Sequence, residues 1–267
     1  MEKFSIIHPS SILSPYIKNY WILEIEDIAH ISERIIPTGY INLVFHRGNR
    51  MYSSSDHDLQ PRSFICGQSM GFSDLSTTDT VNMIVVVFQA HGASAFFDIP
   101  LNEFYEQTIS VNDIEDKALK DLGKRIVETT ENQLCINLIE QFLLKRLDSI
   151  KDYNYKRIST AIESINTQNQ IKIEDIAEKV CLSYKQFNRV FAQHVGTGPK
   201  EFSRIVRFHR ALYTLQNNSN INLTELTYRC GFYDQSHLIR EFKSFSGYTP
   251  SEYLAICMPY SDYFSET

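Results

Sequence analysis

The segment from 173 to 202 recurs, residue for residue in its apolar pattern, at 223 to 253. A shift of 50 places lays Ile173 on Leu223, Ile176 on Leu226, Ala177 on Thr227 and Val180 on Cys230. Past one extra residue in the second copy the shift becomes 51, and Phe187 falls on Leu238, Phe191 on Phe242, Gly196 on Gly247, Pro199 on Pro250 and Phe202 on Tyr253. An insertion confined to one point, with the pattern resuming on both sides, marks a turn between two helices. Each copy therefore predicts helix, turn, helix, then a Gly-containing break and a Pro opening the next helix. Two such units in tandem are the arrangement expected of a chain that reads double-stranded DNA at two neighbouring places.

A net charge of −6 argues against a nucleic-acid partner until its distribution is followed along the 267 residues. From Tyr155 to Met258 there are 13 Lys and Arg against 9 Asp and Glu, whereas Met1 to Asn154 carries 13 against 21. Only the repeat-bearing part is basic, as expected if it alone meets phosphate. An apolar share of 43% with 22% charged residues is that of an ordinary globular chain long enough for about two domains. No apolar run approaches the roughly 20 residues that span a bilayer, and the opening Met-Glu-Lys-Phe-Ser-Ile-Ile-His does not read as a signal peptide, so a cytoplasmic protein without a membrane partner is expected. Five cysteines, Cys66, Cys135, Cys181, Cys230 and Cys257, form no C-x-x-C pair. Apolar neighbours around the first four favour buried, reduced thiols over a disulfide framework or a zinc site.

Up to about Leu101 the texture is that of strands: Ile41–Phe45, Ser63–Cys66 and the β-branched run Asn82–Phe88, separated by Pro37-Thr-Gly39, Met51–Pro61, Gly67–Gly71 and Ser76–Thr80 as turns and loops. A small barrel or two-sheet sandwich with some helix is expected. His8, His30, His46, His57 and His91 stand singly, with no H-x-H to signal a cupin metal site, and no G-x-S-x-G, Walker loop or dinucleotide glycine pattern occurs, so neither metal nor cofactor nor catalysis is expected. The segment His91–Pro100 reads as a turn into a short helix packed by Phe96 and Phe97. Trp21, Tyr40, Phe45, Phe64, Phe88 and Phe97 either line a ligand cavity or fill the core.

From Val111 to Ile150 the period lengthens to that of helices. Ile114, Ala118, Leu122 and Ile126 form one stripe. A second helix carries Ile136, Ile139, Leu143 and Ile150, interrupted by Arg146, with Leu134, Leu138, Phe142 and Leu147 on a further face. One face can cover the β-rich part and another a second subunit, so a homodimer is expected. The polar stretch 151–155 reads as the linker.

A DNA-reading helix needs a buried back and an outward, donor-rich first turn. In the first unit Ser183-Tyr-Lys-Gln186 is a capping box, Phe187, Val190 and Phe191 form the back, and Lys185, Asn188, Arg189 and Gln193 face outward. Arg and Lys donate to the acceptors of guanine and Asn pairs with adenine, and no acidic residue occurs from Leu182 to Lys200. In the second unit Asp234 is the N-cap, Leu238, Phe242 and Phe245 turn inward, and Gln235, Ser236, His237, Ile239, Arg240 and Lys243 surround the outer face, with Glu241 aside. Between the units, Pro199 to Gln216 predicts one rod of about 17 residues, roughly 25 Å, with Phe202, Ile205, Phe208 or His209, Leu212 and Leu215 packing on both. Arg204, Arg207 and Arg210 on that rod serve either phosphate contact or structural ion pairs. Asn222–Glu225 and Thr249–Glu252 are further capping boxes.

Ile173–Ala177, Phe187–Phe191, Gly196–Pro199, Arg207–Ala211 and above all Cys230-Gly-Phe-Tyr-Asp-Gln-Ser-His-Leu-Ile-Arg-Glu-Phe-Lys243 with Gly247-Tyr-Thr-Pro-Ser-Glu-Tyr253 resemble the AraC/XylS family of bacterial transcription regulators. The likeness covers about the last 100 residues, departing at Leu238 where Phe is commonest. It implies a seven-helix module with two helix-turn-helix units that binds promoter DNA and recruits RNA polymerase, most often to activate, and it places base-reading positions on Lys185, Asn188, Arg189, Gln235, Ser236, His237 and Arg240. The Pro37-Thr-Gly39 element, Gly67-Gln68 and the strand ending at Phe88 resemble the cupin-related sensor domains of some members, which implies a small-molecule effector without naming one. The expectation is thus a multi-domain α+β chain: a β-rich, cupin-like sensor domain over 1–110, a helical dimerisation and linker segment over 111–152, an all-α DNA-binding domain over 153–258 and a polar tail over 259–267. The competing readings are a cupin-like enzyme or DNA-alkyl-repair fusion that uses the helices only for targeting, and an interaction module that keeps the fold without binding DNA.

Overall fold

The computed structural model describes residues 2–26, 31–54, 57–77, 79–147, 153–169, 171–218 and 220–256. The linker positions 151 and 152, His30, Ile150, Cys257 and the tail 259–267 lie outside the described residues.

The N-terminal part is two antiparallel sheets, a sandwich in place of a closed barrel. The larger has six strands in the order β1 (Glu2–Ile7), β2 (Ile17–Ile25), β8 (Val81–Phe88), β4 (Asn42–His46), β6 (Ser63–Cys66) and β9 (Thr108–Ser110). The smaller pairs β3 (Ile31–Ile35), β7 (Ser73–Thr77) and β5 (Tyr52–Ser53). Both faces of the large sheet are buried, which is why β8 is apolar without a break from Met83 to Phe88. Ile84, Val86 and Phe88 join Ile22, Leu43 and Phe45 under the helices, while Val81, Met83, Val85 and Val87 join Trp21, Val44 and Phe64 on the other side, where Leu75 of the small sheet packs.

Helices α1 (Lys117–Glu128) and α2 (Asn132–Leu147) cover the first face. The inward stripe of α1 is Leu119, Leu122 and Ile126. Ala118 is exposed and Ile114 precedes the N-cap Asp116, because the stripe follows the helical period of 3.6 and a strict spacing of four drifts off it. Asp116 accepts from the Leu119 N–H at 3.0 Å and holds Arg146 of α2 at 2.6 Å, and Arg146 also donates to the Phe96 carbonyl at 2.8 Å, which gives the charged interruption of that helix its partners. Helix α2 buries Ile136, Leu138, Ile139 and Leu143 on the sheet and leaves Leu134 exposed.

The C-terminal part comprises α3 (Tyr153–Thr167), α4 (Ile173–Lys179), α5 (Tyr184–Val195), α6 (Pro199–Asn217), α7 (Leu223–Arg229), α8 (Gln235–Ser246) and α9 (Pro250–Ile256). No helix among the described residues is long and apolar enough to cross a membrane. The repeat is geometric as well as sequential. Leu182 N–H donates to the Ala177 carbonyl at 3.0 Å as Phe232 does to Thr227 at 2.9 Å, and the inserted residue is Tyr233, just before the second N-cap. Both second helices end on a left-handed glycine, Gly196 at φ 91° and Gly247 at φ 79°.

The turn inside each unit also passes through the left-handed region, at Gly231 (φ 80°) in the second and at Cys181 (φ 55°) in the first. Cys181 is consequently exposed, against the expectation of a buried thiol: at the corner of the turn the chain leaves the helical stripe that buries its neighbours. Cys135 and Cys230 are buried and Cys66 half-buried. The two corners differ in surroundings, since a Cβ on Gly231 would lie 2.5 Å from the Asn169 carbonyl oxygen. Exchanging the residues should therefore act unequally: Gly231→Cys costs about 2 kcal/mol or more, whereas Cys181→Gly changes stability by less than about 1 kcal/mol, left-handed strain and glycine entropy nearly offsetting each other. Urea unfolding of the two variants measures both.

Candidate nucleic-acid interface

The two second helices, α5 and α8, are capped as their sequences require. Ser183 accepts from the Gln186 N–H while Gln186 accepts from the Ser183 N–H, and Asp234 accepts from the His237 N–H at 2.7 Å. Their backs are buried: Phe187, Val190 and Phe191 in the first, Leu238, Phe242 and Phe245 in the second. Lys185, Arg189, Gln235, Ser236, Arg240 and Lys243 are exposed, and Asn188, Gln193 and His237 are half-buried. The nine residues thus lie on two equivalent outer faces, but not all are free. Asn188 donates to the Tyr184 carbonyl at 2.8 Å, and Gln235 donates to the Thr224 hydroxyl at 2.7 Å, tying α8 to α7. His237 Nδ1 accepts from the Tyr233 N–H at 3.4 Å; burial, then the nearby Arg207 charge, hold the ring below the ordinary histidine value, so Nε2–H is its outward donor at neutral pH.

Glu241, the acidic residue on α8, is buried against α6. Arg204 donates to it at 2.6 and 2.9 Å and Arg207 lies at 3.5 Å. Burial pushes the carboxyl up, yet the Arg204 hydrogen bond and the two guanidinium charges outweigh it and hold Glu241 below the usual range. Arg204 and Arg207 are accordingly structural partners of Glu241, and Arg210 donates to the Asn166 carbonyl at 2.9 Å. The carboxylate is neutralised on the inner side, and the outer face stays cationic.

Three exposed aromatic residues without a role in the sequence analysis lie within the two units: Tyr184, the first residue of α5, Tyr233, just before α8, and Tyr228 of α7, exposed by 52%, 85% and 68%. Tyr233 is the inserted residue of the second repeat, and the break in the register was the signal that could have found it. The sheet domain also reaches the last residue of each helix, where Gln68 Nε2 donates to the Val195 carbonyl at 3.1 Å and Arg34 Nη1 to the Ser246 carbonyl at 3.2 Å.

Trp21, Phe45, Phe64, Phe88 and Phe97 fill the sandwich cores; Tyr40 alone of the six aromatics lines the cavity found where the sheet domain meets α3 and α6. That cavity holds about 380 Å³ and brings together Lys18, His91, His209 and Arg210. His209 donates to the Pro37 carbonyl at 2.6 Å, while both ring nitrogens of the buried His91 lack a hydrogen-bond partner among the described residues. No group of three or more metal-ligating side chains occurs among the described residues.

Residues 176–256 match the family model described as a helix-turn-helix domain. The C-terminal part is an AraC-type helix-turn-helix domain. Residues 5–110, ahead of the AraC-type domain, match a domain of unknown function, DUF6597. An uncharacterized transcriptional regulator of this helix-turn-helix type from Haemophilus influenzae is 28% identical over 158 residues, 58% of this chain and 51% of its own. The arabinose operon regulatory protein of Escherichia coli is 29% identical over 131 residues, covering 46% of this chain and 44% of its own. The chain thus spans about half the length of the curated relatives it matches. Among solved structures, ToxT from Vibrio cholerae aligns over 88% of this chain and 97% of its own at 14% identity, with a TM-score of 0.43.

Burial holds His91 near a pKa of about 4, with the neighbouring His194 adding to the effect, and burial likewise holds His46 near about 4 against a smaller opposing hydrogen bond that its Nε2–H donates to Gln60 Oε1. Both rings are neutral in the folded chain where the unfolded chain takes up protons, from pH 6.5 downward. Their contribution to stability is whole above pH 6.5 and is lost as the pH falls to about 4, by up to about 3 kcal/mol each. Urea unfolding between pH 4 and 7 should show this slope, and His91→Gln should remove about half of it.

Proposed function

We propose that this chain is a sequence-specific DNA-binding transcription regulator whose helices α5 and α8 enter successive major grooves of one duplex. The observation that carries the reading is the pair of repeat-equivalent, capped helices whose exposed outer faces hold Lys185, Arg189, Arg240 and Lys243 while the acidic Glu241 is turned inward and neutralised. The connecting helix α6 has 19 residues, about 28 Å of rigid rod, comparable with the roughly 34 Å between successive grooves. In this reading Arg189, Arg240 and Gln235 read base edges, Asn188 and Gln235 exchanging their internal hydrogen bonds for base contacts. Lys185, Lys243, Ser236 and Gln193 contribute phosphate or edge contacts, and His237 donates through Nε2. Activation through RNA polymerase rests on the resemblance to AraC/XylS proteins. The repair-enzyme alternative needs an activated thiol, and burial pushes the Cys66 thiol up, away from reactivity.

Selection of duplexes from a random pool by the full chain should yield one asymmetric site. Arg189→Ala with Arg240→Ala should weaken that site by roughly 100-fold or more, at about 1–3 kcal/mol for each base contact, while binding to bulk DNA falls far less. No preference over competitor DNA by the unaltered chain would end the reading.

The effector belongs, in the same reading, to the cavity between the domains. Lys18 and Arg210 supply positive charge and His91 two unused ring nitrogens, so an anionic ligand with an apolar body fits Tyr40, Ile162, Phe202 and Leu212. Octanoate should raise the melting temperature of the chain where 1-octanol does not, and Lys18→Ala with Arg210→Ala should abolish the rise.

A further inference from the structure

The sheet domain grips the two recognition helices at the same place. Val195 and Ser246 are equivalents under the 51-residue shift of the repeat, each the last residue of its helix, and each offers its carbonyl to a side chain of the N-terminal domain. Gln68, almost wholly buried, donates Nε2 to Val195 at 3.1 Å and to the Gly39 carbonyl at 2.8 Å. Arg34 donates Nη1 to Ser246 at 3.2 Å while its Nε and Nη2 hold Asp74 at 2.7 and 2.8 Å. Its guanidinium lies 4.1 Å from the Phe72 ring centre and 4.6 Å from that of Tyr248, which follows the second helix.

The capping glycines that follow are equally engaged. A Cβ on Gly196 would stand 3.1 Å from Gln68 Cγ and 3.3 Å from Ile41, and one on Gly247 would stand 2.4 Å from Arg34 Nη1 and 2.9 Å from Phe72. Gln68 and Phe72 belong to one short connection between β6 and β7, Gly67-Gln-Ser-Met-Gly-Phe72, and its Met70 packs on the core of the second unit. Its near end is packed closely on the chain around Phe104: a Cβ on Gly67 would fall 1.8 Å from the Phe104 carbonyl oxygen, and the Gln68 carbonyl accepts from the Glu106 N–H at 2.8 Å.

A single anchored segment thus spans from the end of one reading helix to the end of the other. Oriented C-terminal carbonyls carry partial negative charge, which the amide of Gln68 and the cation of Arg34 complement. We propose that residues 67–72 together with Arg34 act as a ruler: they set the distance and rotation between α5 and α8 from outside the DNA-binding domain, and with it the spacing at which the two parts of a DNA site are accepted. Arg34, Gln68 and Phe72 are positioning residues for base reading and touch no base. The proposal rests on the reading of α5 and α8 as DNA-reading helices. Two linked binding modules gain from each other only when their separation matches the target, so fixing the separation sharpens the choice of spacing, and releasing it broadens that choice.

The test uses the full chain and the site it selects, with zero, one or two base pairs inserted between the two parts of that site. The unaltered chain should lose about tenfold or more in affinity with two added base pairs. Arg34→Ala and, separately, Phe72→Ala should keep both sequence preferences and lose less than about threefold on the same insertion. Gln68→Leu should act likewise from the first unit. Spacing discrimination equal to that of the unaltered chain in folded Arg34→Ala and Phe72→Ala variants overturns the ruler, as does loss of the second part of the site altogether, which would mark these residues as supports for folding α8. Phe72→Ala carries the test where Arg34→Ala melts early. Absence of any selected site for the unaltered chain is a different failure and strikes the DNA-binding reading itself.

Discussion

One helix belongs to two cores, and the rest of the C-terminal domain follows from that. Phe202, near the start of α6, is buried with Phe187 and Phe191 of the first unit, while Ile205, Phe208, Leu212 and Leu215 are buried with Leu226, Phe242 and Phe245 of the second. A seven-residue helix such as α4 or α7 is too short to be stable alone, so each unit owes its order to apolar burial against its partner helix and against α6. The buried Glu241, held by Arg204 and Arg207 of α6, adds a polar fastening that pure packing lacks, because a carboxylate without those partners would be costly there. The two outer faces are consequently carried on one connecting helix.

The sandwich is built onto the same frame. Ile36 is buried in the core of the second unit and Ala90 in that of the first, the Pro37 carbonyl accepts from His209 in the middle of α6, and Gln68 and Arg34 hold the two helix ends. A change in the sheet domain therefore has direct mechanical routes to both units, and the cavity lies across one of them, between Lys18 and Tyr40 on one side and His209 and Arg210 on the other.

Much of this was legible before any coordinates, for reasons that can be named. Helix pairs, turns and caps are local, so Ser183, Asp234, Asn222 and the Gly196 and Gly247 breaks could be placed from neighbours in the chain. Strands β6 and β8 were readable because burial on both faces gives each an apolar centre, Phe64-Ile65 and Met83 to Phe88. The small sheet was not: β3, Ile-Ser-Glu-Arg-Ile, and β7, Ser-Asp-Leu-Ser-Thr, carry too few apolar residues to stand out, and the stretch 51–61 taken as loop contains β5. Exposure of Cys181 was missed because apolar neighbours do not reveal a left-handed corner. The choice between phosphate contacts and ion pairs for Arg204 and Arg207 needed the position of Glu241, 37 residues away in the case of Arg204.

What the chain by itself determined is the duplicated helical unit, its caps and its cationic outer residues, since these depend on periodicity, hydrogen bonds across three or four residues and charge, all local properties. Tertiary structure alone decided that Arg204 and Arg207 are engaged internally and that the N-terminal domain closes as two sheets. It also placed Pro37-Thr-Gly39 and Gly67–Phe72 against α5, α6 and α8. These are meetings of surfaces distant in the chain, where a backbone carbonyl and a lone arginine or glutamine leave no periodic trace in the order of residues.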